Sequence, residues 1–527
     1  MKPSHLLGLI CLGALALRLA LLPQVEFPGI ADPNHYYNMG VRLVEGHGFT
    51  IDYIWQYSLP PATIEHPEEH WMPLSALLAA APMRLFGVGV HAALLPFIAI
   101  GALLPALGYW GAAQLRLSSG GRLFAAACAA VLPEFVLNSL RTDTTVPAAL
   151  FVCLSILLLT EGLRRGRAIW FAGGGAAAGL AYLTRSDGAL LLPMVVVTVI
   201  VYLTAEKRRG EGKTLRAPLR SLRLGVFLLA AALVIAPWIA RNLRELGTPT
   251  SPETRGMFFF THHDDHYAYE REFTLQTLLA SQTPAQIIGK RLFEMAAGGQ
   301  MMIEVLGGFL AVAVIGGGLL LIHARDRERL LTLAPTVILL AGAFAAYTVF
   351  LPYKAQAGSL KKIFLALLPL LLPLAAYALE RAITEARIRR GAMLLASALL
   401  ALAAFQRVRT DAREASAYLA TIRQMAAVAE TLPDTNGDGD IRLMTQDPYI
   451  LRFVGLRSVM YPYEDRDTIL EVARRYGIDY LLMPPNRPAL DTLYAGTETD
   501  ARIMPVADVP GTPFEFFTAE NPEERSE

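Results

Sequence analysis

The sequence has few charged residues and few cysteines for its length. Charged side chains make up 18% of its 527 residues, whereas soluble globular proteins carry about 25%. The 3 cysteines, Cys11, Cys128 and Cys153, all lie in apolar runs, which disfavours a disulfide framework or a thiolate metal site. The net charge is only +1, so nothing electrostatic indicates a nucleic-acid partner. This composition is typical of a protein whose outer surface faces lipid.

Apolar runs occupy most of the chain. A membrane-spanning helix needs about 20 mostly apolar residues, and we predict about eleven spans. The first run contains Arg18 and is followed by no A-x-A cleavage site, which favours an uncleaved helix over a signal peptide. The run 71–87 holds two prolines and Arg84, so we expect a short interfacial or re-entrant helix there. The predicted spans lie at 5–23, 91–115, 123–139, 146–161, 168–184, 188–204, 224–240, 303–323, 330–350, 363–380 and 391–405.

Lysine and arginine are distributed unequally between alternate loops. Because cytoplasmic loops carry the excess of these residues, the asymmetry predicts a cytoplasmic N-terminus. Two long loops, 24–71 and 241–302, and the C-terminal segment then lie on the extracytoplasmic side of the membrane. Loops of this length are usually functional. The basic, cytoplasmic loops are 116–122, 164–167, 207–223, 325–329 and 381–390.

A change in composition near residue 410 predicts two domains. Residues 1–408 form an α-helical polytopic membrane domain, and residues 409–527 form a small extracytoplasmic α/β domain. In the second domain IRLMT, SVMYP and IDYLLMP are typical of strands, and RDTILEVARRYG is typical of an amphipathic helix. The segment DTNGDGDI resembles the beginning of a calcium loop, but its twelfth position is Thr445 instead of glutamate. We therefore interpret it as a turn.

Polar residues collect in the two long outer loops. Asp32 closely follows the first span, where a carboxylate is either functional or the cap of a helix beginning at Pro33. His66, Glu69 and His70 match the H-x-x-E-H peptidase pattern, but Pro67 and the loop setting argue against a peptidase. The alternatives for HPEEHW are binding of an acceptor or a metal, and a solvated helix cap.

The second outer loop contains the segment THHDDHYAYE. Asp264 and Asp265, with the neighbouring histidines, are metal candidates. Adjacent side chains point in different directions, so one such cluster cannot supply all the ligands of a metal ion. An ordered polar loop is the favoured interpretation.

Several motifs together resemble the GT-C glycosyltransferases, in particular the glycosyltransferase family 39-like group with protein O-mannosyltransferases and aminoarabinose transferases. The first is an acidic residue after the first span, followed by tyrosines and Y-x-x-G-x-x-L-x-x-G. A short Pro-Leu-rich helix ending in LFG comes next. The resemblance covers residues 5–380, and its later motifs are RTDTTVPAALFVCLSILLL, LTRSDGALLLP and APWIARNLRELGTPTSP.

The resemblance implies the GT-C fold and a transferase that takes its sugar from an isoprenoid phosphate. In this family an outer-loop aspartate activates the acceptor, which makes Asp32 the expected catalytic base. Asp143 is either a helix cap or a second catalytic carboxylate facing Asp32, and Glu69 is a further catalytic candidate. Family members often carry two adjacent acidic residues where this chain has Ala31, Asp32 and Pro33, so a two-carboxylate metal site is not expected there.

Cations are scarce at the predicted outer ends of the spans. Arg185, Arg241, Lys361 and Lys362 lie there, at the depth where a lipid phosphate would sit. We expect them to bind the donor phosphate, with Lys361 and Lys362 as the leading pair. The alternative is that they snorkel to the interface and only anchor the helices.

The sequence therefore predicts sugar transfer from a polyprenyl-phosphate donor to a protein, lipid or glycan acceptor at the extracytoplasmic face of a bacterial inner (plasma) membrane. Membrane lipids are the other expected partners. A divalent metal is the one candidate cofactor. A transporter or flippase is the main alternative, but its ionisable residues would lie within the spans near the midplane. A non-catalytic membrane scaffold is the third hypothesis.

Overall fold

A computed structural model describes residues 2–207, 216–352 and 358–519. Apolar helices make up its larger part, because a helix satisfies its own backbone polar groups where lipid offers no partner. In chain order these helices are α1 (Pro3–Leu21), α2 (Asp32–Glu45), α3 (Leu74–Phe86), α4 (Val90–Gln114), α5 (Ser119–Val131), α6 (Pro133–Asn138), α7 (Thr145–Arg165), α8 (Ala168–Thr184), α9 (Leu191–Lys207), α10 (Arg216–Glu245), α11 (Leu275–Ser281), α12 (Pro284–His323), α13 (Arg327–Ala345), α14 (Ser359–Ala382) and α15 (Ala386–Ala429).

The helices confirm an integral membrane protein. Within the described ranges, 9 helices are long and apolar enough to cross a membrane. The other two predicted spans form shorter apolar helices, α5 and α8. All of the predicted spans are therefore helical. Helix α3 has 13 residues, which gives a length of about 20 Å; it is too short to cross a hydrocarbon core of about 30 Å, as expected.

Two predicted spans are interrupted or bent in the structure. The span expected at 123–139 is interrupted at Leu132, which has non-helical φ and ψ before Pro133, because proline disfavours the helical conformation of the residue before it. The span expected at 303–323 begins at Pro284 and bends at Gly307, where φ is 71°. The second outer loop is correspondingly shorter than 241–302. The first half of α12 contains polar residues, so hydropathy did not predict that the helix begins this early.

A five-stranded sheet forms the C-terminal domain. Strands β3 (Arg442–Thr445), β4 (Arg457–Met460) and β5 (Tyr480–Met483) are parallel neighbours and correspond to the three predicted strands. They follow a two-stranded pair in the first outer loop, β1 (Thr50–Ile51) and β2 (His66–Pro67). Strands β6 (Pro505–Asp508) and β7 (Glu515–Thr518) were not predicted. Strand β7 pairs antiparallel with β5, and β6 pairs antiparallel with β7, giving the order β4-β3-β5-β7-β6.

Helices α16 (Pro448–Phe453), α17 (Arg466–Arg475) and α18 (Pro488–Tyr494) complete the C-terminal domain. Helix α17 is the predicted amphipathic helix, with the Asp465 carboxylate capping it at the Thr468 amide, 2.9 Å away. The predicted boundary at 408/409 falls inside α15, whose 44 residues continue from the apolar region into the C-terminal domain. The composition changes there, but the helix does not end.

The C-terminal domain packs against the first outer loop. The Met460 amide donates to the Ile54 carbonyl at 2.7 Å, and the Asn38 side-chain amide donates to the Tyr449 carbonyl at 2.7 Å. The opposite end of the helices carries the basic loops, which contact one another; for example, Arg329 donates to the Leu115 carbonyl at 2.8 Å. Residues 208–215 of the predicted basic loop 207–223 lie outside the described residues. Which end is cytoplasmic stays a prediction.

Candidate active site

Four chain segments meet where the outer loops join the helices. They are the start of α2 with Asp32, the turn before α7 with Asp143, the break between α8 and α9 with Arg185, and the start of α14 with Lys362. Helix α14 is central to the membrane domain, because 94% of its most apolar stretch is buried. The lysine at its start therefore projects from a buried helix.

Lys362 bridges Asp32 and Asp143, one of whose predicted arrangements was to face each other. Its Nζ lies 2.7 Å from Oδ2 of Asp32 and 2.9 Å from Oδ1 of Asp143. The side chain of Asp143 is 5% exposed and that of Lys362 is 16% exposed, but that of Asp32 is 33% exposed. A buried ion needs such partners, because leaving it unpaired costs several kcal/mol. Of the two carboxylates, Asp32 is the one that an incoming molecule can reach.

Neither aspartate caps a helix. The residue before α2 is Ala31, with φ of 63°, and no side chain caps this helix end. Asp143 precedes Thr144, the N-cap of α7, and accepts hydrogen bonds from the amide and hydroxyl of Thr144. The capping alternative is thus wrong for both residues. Burial alone would raise the pKa of Asp143, but Lys362, with a smaller contribution from Arg185, lowers that pKa to about 2.

Arg185 belongs to the same network. Its guanidinium contacts both carboxylate oxygens of Asp187, the shortest contact being 2.7 Å, and donates to the Thr144 hydroxyl at 3.3 Å. The Tyr347 hydroxyl donates to Asp187 at 3.1 Å. Thr144, Asp187 and Tyr347 were not identified as site residues from the sequence. Only Asp187 had a signal, because it lies two residues after Arg185 in LTRSDG.

The two adjacent lysines do not act as a pair. Lys361 contacts Glu134 on α6, with Nζ 3.1 Å from Oε1, and its side chain is 36% exposed. Lys362 turns to the aspartates instead. Consecutive residues of a helix point about 100° apart, so one α14 turn serves two separate ion pairs. Residues 353–357 of the preceding segment PYKAQAGS lie outside the described residues.

The contacts of Arg241 are with the first outer loop and not with the site around Lys362. It donates to the backbone carbonyls of Glu68 and of Phe49, the latter at 2.8 Å. Its guanidinium also stacks on the Trp238 ring, 4.9 Å from the centroid. These contacts tie the outer end of α10 to the loop, and its expected role in binding phosphate stays a prediction.

Glu69 and His70 lie in a second polar cluster, between the two outer loops. Glu69 accepts from the Gln56 amide at 3.1 Å, and His70 contacts Glu253 with Nδ1 3.0 Å from Oε2. Glu253 also contacts His266. Burial and the neighbouring charge of Glu68 raise the pKa of Glu69 to about 8. The structure does not bring Glu69 to the Asp32 site.

The metal candidates are held by other partners. His66 donates to the Ile64 carbonyl at 2.8 Å, and Asp264 contacts His262 at 3.2 Å. Asp265 accepts from the Thr261 and His262 amides at 2.7 and 3.0 Å, which orders the loop as expected. In residues 2–207, 216–352 and 358–519, no three His, Cys, Asp or Glu side chains form a group that could hold a metal ion.

The segment DTNGDGDI forms the turn predicted for it. The Asp434 carboxylate accepts from the backbone amides of Asn436, Gly437 and Gly439 at 2.9, 2.8 and 2.6 Å. The Asp440 carboxylate contacts Arg457 at 2.8 Å. These oxygens are directed to the chain itself and not to a common centre, so the segment precedes β3 as a structural turn.

Comparisons with known proteins agree with this architecture. The family described as dolichyl-phosphate-mannose-protein mannosyltransferase matches residues 65–239. No curated protein matches the sequence. The structure is similar to ArnT from Cupriavidus metallidurans bound to undecaprenyl phosphate, with 15% identity, 97% of both chains covered and a TM-score of 0.58. It is also similar to the Archaeoglobus fulgidus oligosaccharyltransferase in complex with Zn and sulfate, with 14% identity, 97% of this chain and 72% of that chain covered and a TM-score of 0.55.

The helices, the outer-loop site and the small C-terminal domain define the class of protein, a polytopic membrane protein of the GT-C fold. Similarity at 13–15% identity shows the fold, and the family match adds the sequence relationship. This is the fold that the sequence resemblance indicated.

Proposed function

We propose that the protein transfers a sugar from a polyprenyl phosphate to a hydroxyl acceptor at the extracytoplasmic face of a bacterial inner membrane. One observation carries this proposal. The partly exposed carboxylate of Asp32 and the buried carboxylate of Asp143 share the ammonium group of Lys362. This arrangement provides an accessible base and a cation in direct contact, which the reaction requires.

The reaction assigns a separate task to each charge. Asp32 accepts the proton of the attacking hydroxyl, which needs a base within about 2.6–3.2 Å. The bond between the anomeric carbon and the phosphate oxygen breaks as the bond to the acceptor oxygen forms, with inversion. The electron pair of the broken bond leaves with the phosphate. Negative charge then grows on the phosphate, where fixed cations stabilise it best.

Lys362, Lys361 and Arg185 are the cations that we assign to the donor phosphate. Asp143 is too buried to meet the acceptor, so we assign it to holding Lys362 in place. Lys361 is the most exposed of the three and has only Glu134 as its ion-pair partner among the described residues. It is therefore suited to the first contact with the incoming lipid phosphate.

An apolar groove between α9 and α10 suits the isoprenoid chain. It has a volume of about 500 Å³ and is open along one side. Leu192 belongs to the start of α9, which follows Arg185, and Leu243 to the end of α10, which contains Arg241. A lipid chain in this groove would carry its phosphate towards the outer cations. The lining residues are Leu192, Leu228, Ala232, Ile235, Ala236, Ile239, Ala240 and Leu243.

The similar structures support a polyprenyl-phosphate donor. The Cupriavidus metallidurans ArnT structure contains undecaprenyl phosphate. The Archaeoglobus fulgidus AglB, similar with 13% identity, a TM-score of 0.52 and coverage of 91% of this chain and 69% of that chain, is in complex with an inhibitory peptide and a dolichol-phosphate. We extend the lipid phosphate to this chain and keep protein, lipid and glycan acceptors as the classes to be tested.

Purified protein in detergent distinguishes transfer from transport. We expect it to release undecaprenyl phosphate from undecaprenyl-phosphate hexoses or pentoses when an extract of cell-envelope protein, lipid and glycan is supplied. Mass spectrometry would follow both the released lipid phosphate and the sugar added to the acceptor. A transporter or flippase breaks no covalent bond. Intact donor with the whole panel of sugars and acceptors, from protein that binds donor, would contradict transfer.

A further inference from the structure

A buried chain of polar contacts reaches His35 in the first turn of α2, three residues after Asp32. His35 Nε2 lies 3.0 Å from Oε2 of Glu68, and His35 Nδ1 lies 2.7 Å from the hydroxyl of Tyr53. The His35 side chain is 1% exposed and that of Glu68 is 0% exposed, and Tyr53 is equally buried. Both partners come from the first outer loop, so the loop holds His35 from two sides.

The carboxylate end of this chain is fixed by the backbone. The other oxygen of Glu68 accepts from the amides of His70 and Trp71, each at 2.7 Å. Burial alone would raise the pKa of Glu68, but His35 and these two amides lower it to about 2. Glu68 is therefore an anion with a single orientation. Its fixed charge requires a donor at His35 Nε2, which leaves Nδ1 to accept the Tyr53 proton.

The start of α2 is also held by the Thr142 hydroxyl, which donates to the Pro33 carbonyl. No side chain caps this helix end, although a missing cap typically costs about 1 kcal/mol. The side chains of residues three apart lie on the same face of a helix, so His35 lies beside Asp32 on the first turn. Among the described residues, the polar partner of the Asp32 side chain is Lys362. A single long side chain does not fix the rotation of a helix about its axis.

We propose that His35 is a positioning residue, which places Asp32 through its bonds to Glu68 and Tyr53 and touches no substrate. This inference rests on the proposed role of Asp32. Displacing a catalytic group by about 1 Å can cost about 10²-fold in rate. Loss of the two His35 bonds should therefore lower kcat, while the binding of donor and acceptor, which uses other residues, stays the same.

The test compares two replacements of His35. His35→Phe fills the volume and removes both bonds; we expect kcat to fall about 10- to 100-fold, with acceptor KM and donor Kd within about twofold of the parent protein. His35→Gln keeps a nitrogen that can donate to Glu68 and should recover most of the rate. An unchanged kcat in His35→Phe, or an equal loss in both variants at equal Tm, would overturn the proposal.

A double-mutant cycle tests whether His35 acts through Asp32. In protein already carrying Asp32→Asn, His35→Phe should cause no further loss, because misplacing a residue that is no longer a base has no consequence. Losses that multiply would contradict the proposal. If His35→Phe does not fold, Tyr53→Phe removes one hydroxyl in the same chain and enters the same cycle. Failure of the proposed function looks different, since Asp32→Asn alone would then retain full turnover.

Discussion

The Asp32 site and the Glu69 cluster both bury acidic groups beneath the outer loops, but they hold them differently. At the first, the two carboxylates share the side chain of Lys362, and Asp32 remains 33% exposed. At the second, Glu253 is bound by two histidines and is 2% exposed. Asp143 holds Lys362 beside this exposed carboxylate. The second cluster joins the two outer loops through the contacts of Glu253 with His70 and His266.

This difference shows that an acidic residue in an outer loop is not enough to mark chemistry. What marks the Asp32 site is a carboxylate that is paired with a cation and is accessible from outside. Variants at the Asp32 site should lower turnover in folded protein. Variants at the Glu69 cluster should instead change stability and leave the turnover of each folded molecule nearly unchanged.

Removing Lys362 should have the largest effect of all. Lys362→Met keeps the apolar length of the side chain but leaves Asp32 and Asp143 facing each other without a cation. Breaking a buried ion pair on one side costs about 3–5 kcal/mol, and the donor phosphate loses a cation as well. We expect turnover to fall by more than about 10²-fold, with a lower Tm.

Lys361→Met is the matched control for the Lys362 variant. It removes the neighbouring, half-exposed lysine, whose ion pair with Glu134 is worth at most about 1 kcal/mol. We expect donor Kd to rise by up to about tenfold with little change of Tm. Equal losses of turnover in the two variants would contradict the separate roles given to these lysines.

Glu253→Gln should have its main effect on stability. The amide keeps the shape of the carboxylate but removes the charge that His70 and His266 share, and we expect a loss of about 3 kcal/mol in the free energy of unfolding. Thermal unfolding measures this loss, and turnover per folded molecule should remain within about threefold of the parent value. A large drop in turnover at unchanged Tm would place the second cluster in the reaction.

Ala236→Trp should obstruct the groove between α9 and α10. An indole in the groove takes the place of part of the isoprenoid chain, so donor affinity should fall by about tenfold for long-chain donors. Leu229→Trp is the control, because Leu229 lies on the same helix, is 61% exposed and does not line the groove. If a short-chain donor loses as much affinity as a long-chain one, the groove does not bind the lipid.

Glu69→Gln should have the smallest effect on turnover and should act through the dependence of stability on pH. The pKa of Glu69 is about 8 in the folded protein, above its ordinary value of about 4.3. Between these values the folded state holds more protons than the unfolded state, so the contribution of Glu69 to stability falls as pH rises. The Tm of the variant should match the parent near pH 4.5 and exceed it near pH 8.5. A constant difference across this range would contradict the buried, protonated state.

The sequence predicted the spans, the three parallel strands and the residues Asp32, Asp143, Arg185 and Lys362, because hydropathy and motif order report on these features directly. It did not predict that Lys361 and Lys362 contact different carboxylates, because the sequence does not show which residues lie near each side chain. Nor did it reveal Tyr347, which lies in an apolar span, or His35, whose partners are 18 and 33 residues away along the chain. These features depend on contacts between segments that are distant in the sequence.

The central claim is that the negative charge of Asp32 removes the acceptor proton. Asp32→Asn keeps the size of the side chain and removes that charge, and Asp465→Asn is its control, because asparagine caps helices about as well as aspartate. The measurement is turnover of undecaprenyl-phosphate sugar by purified protein, with donor Kd and Tm determined on the same samples. We predict a fall of about 10²-fold or more in Asp32→Asn, with donor Kd and Tm nearly unchanged and the control fully active. Turnover close to that of the parent protein in well-folded Asp32→Asn would contradict the account.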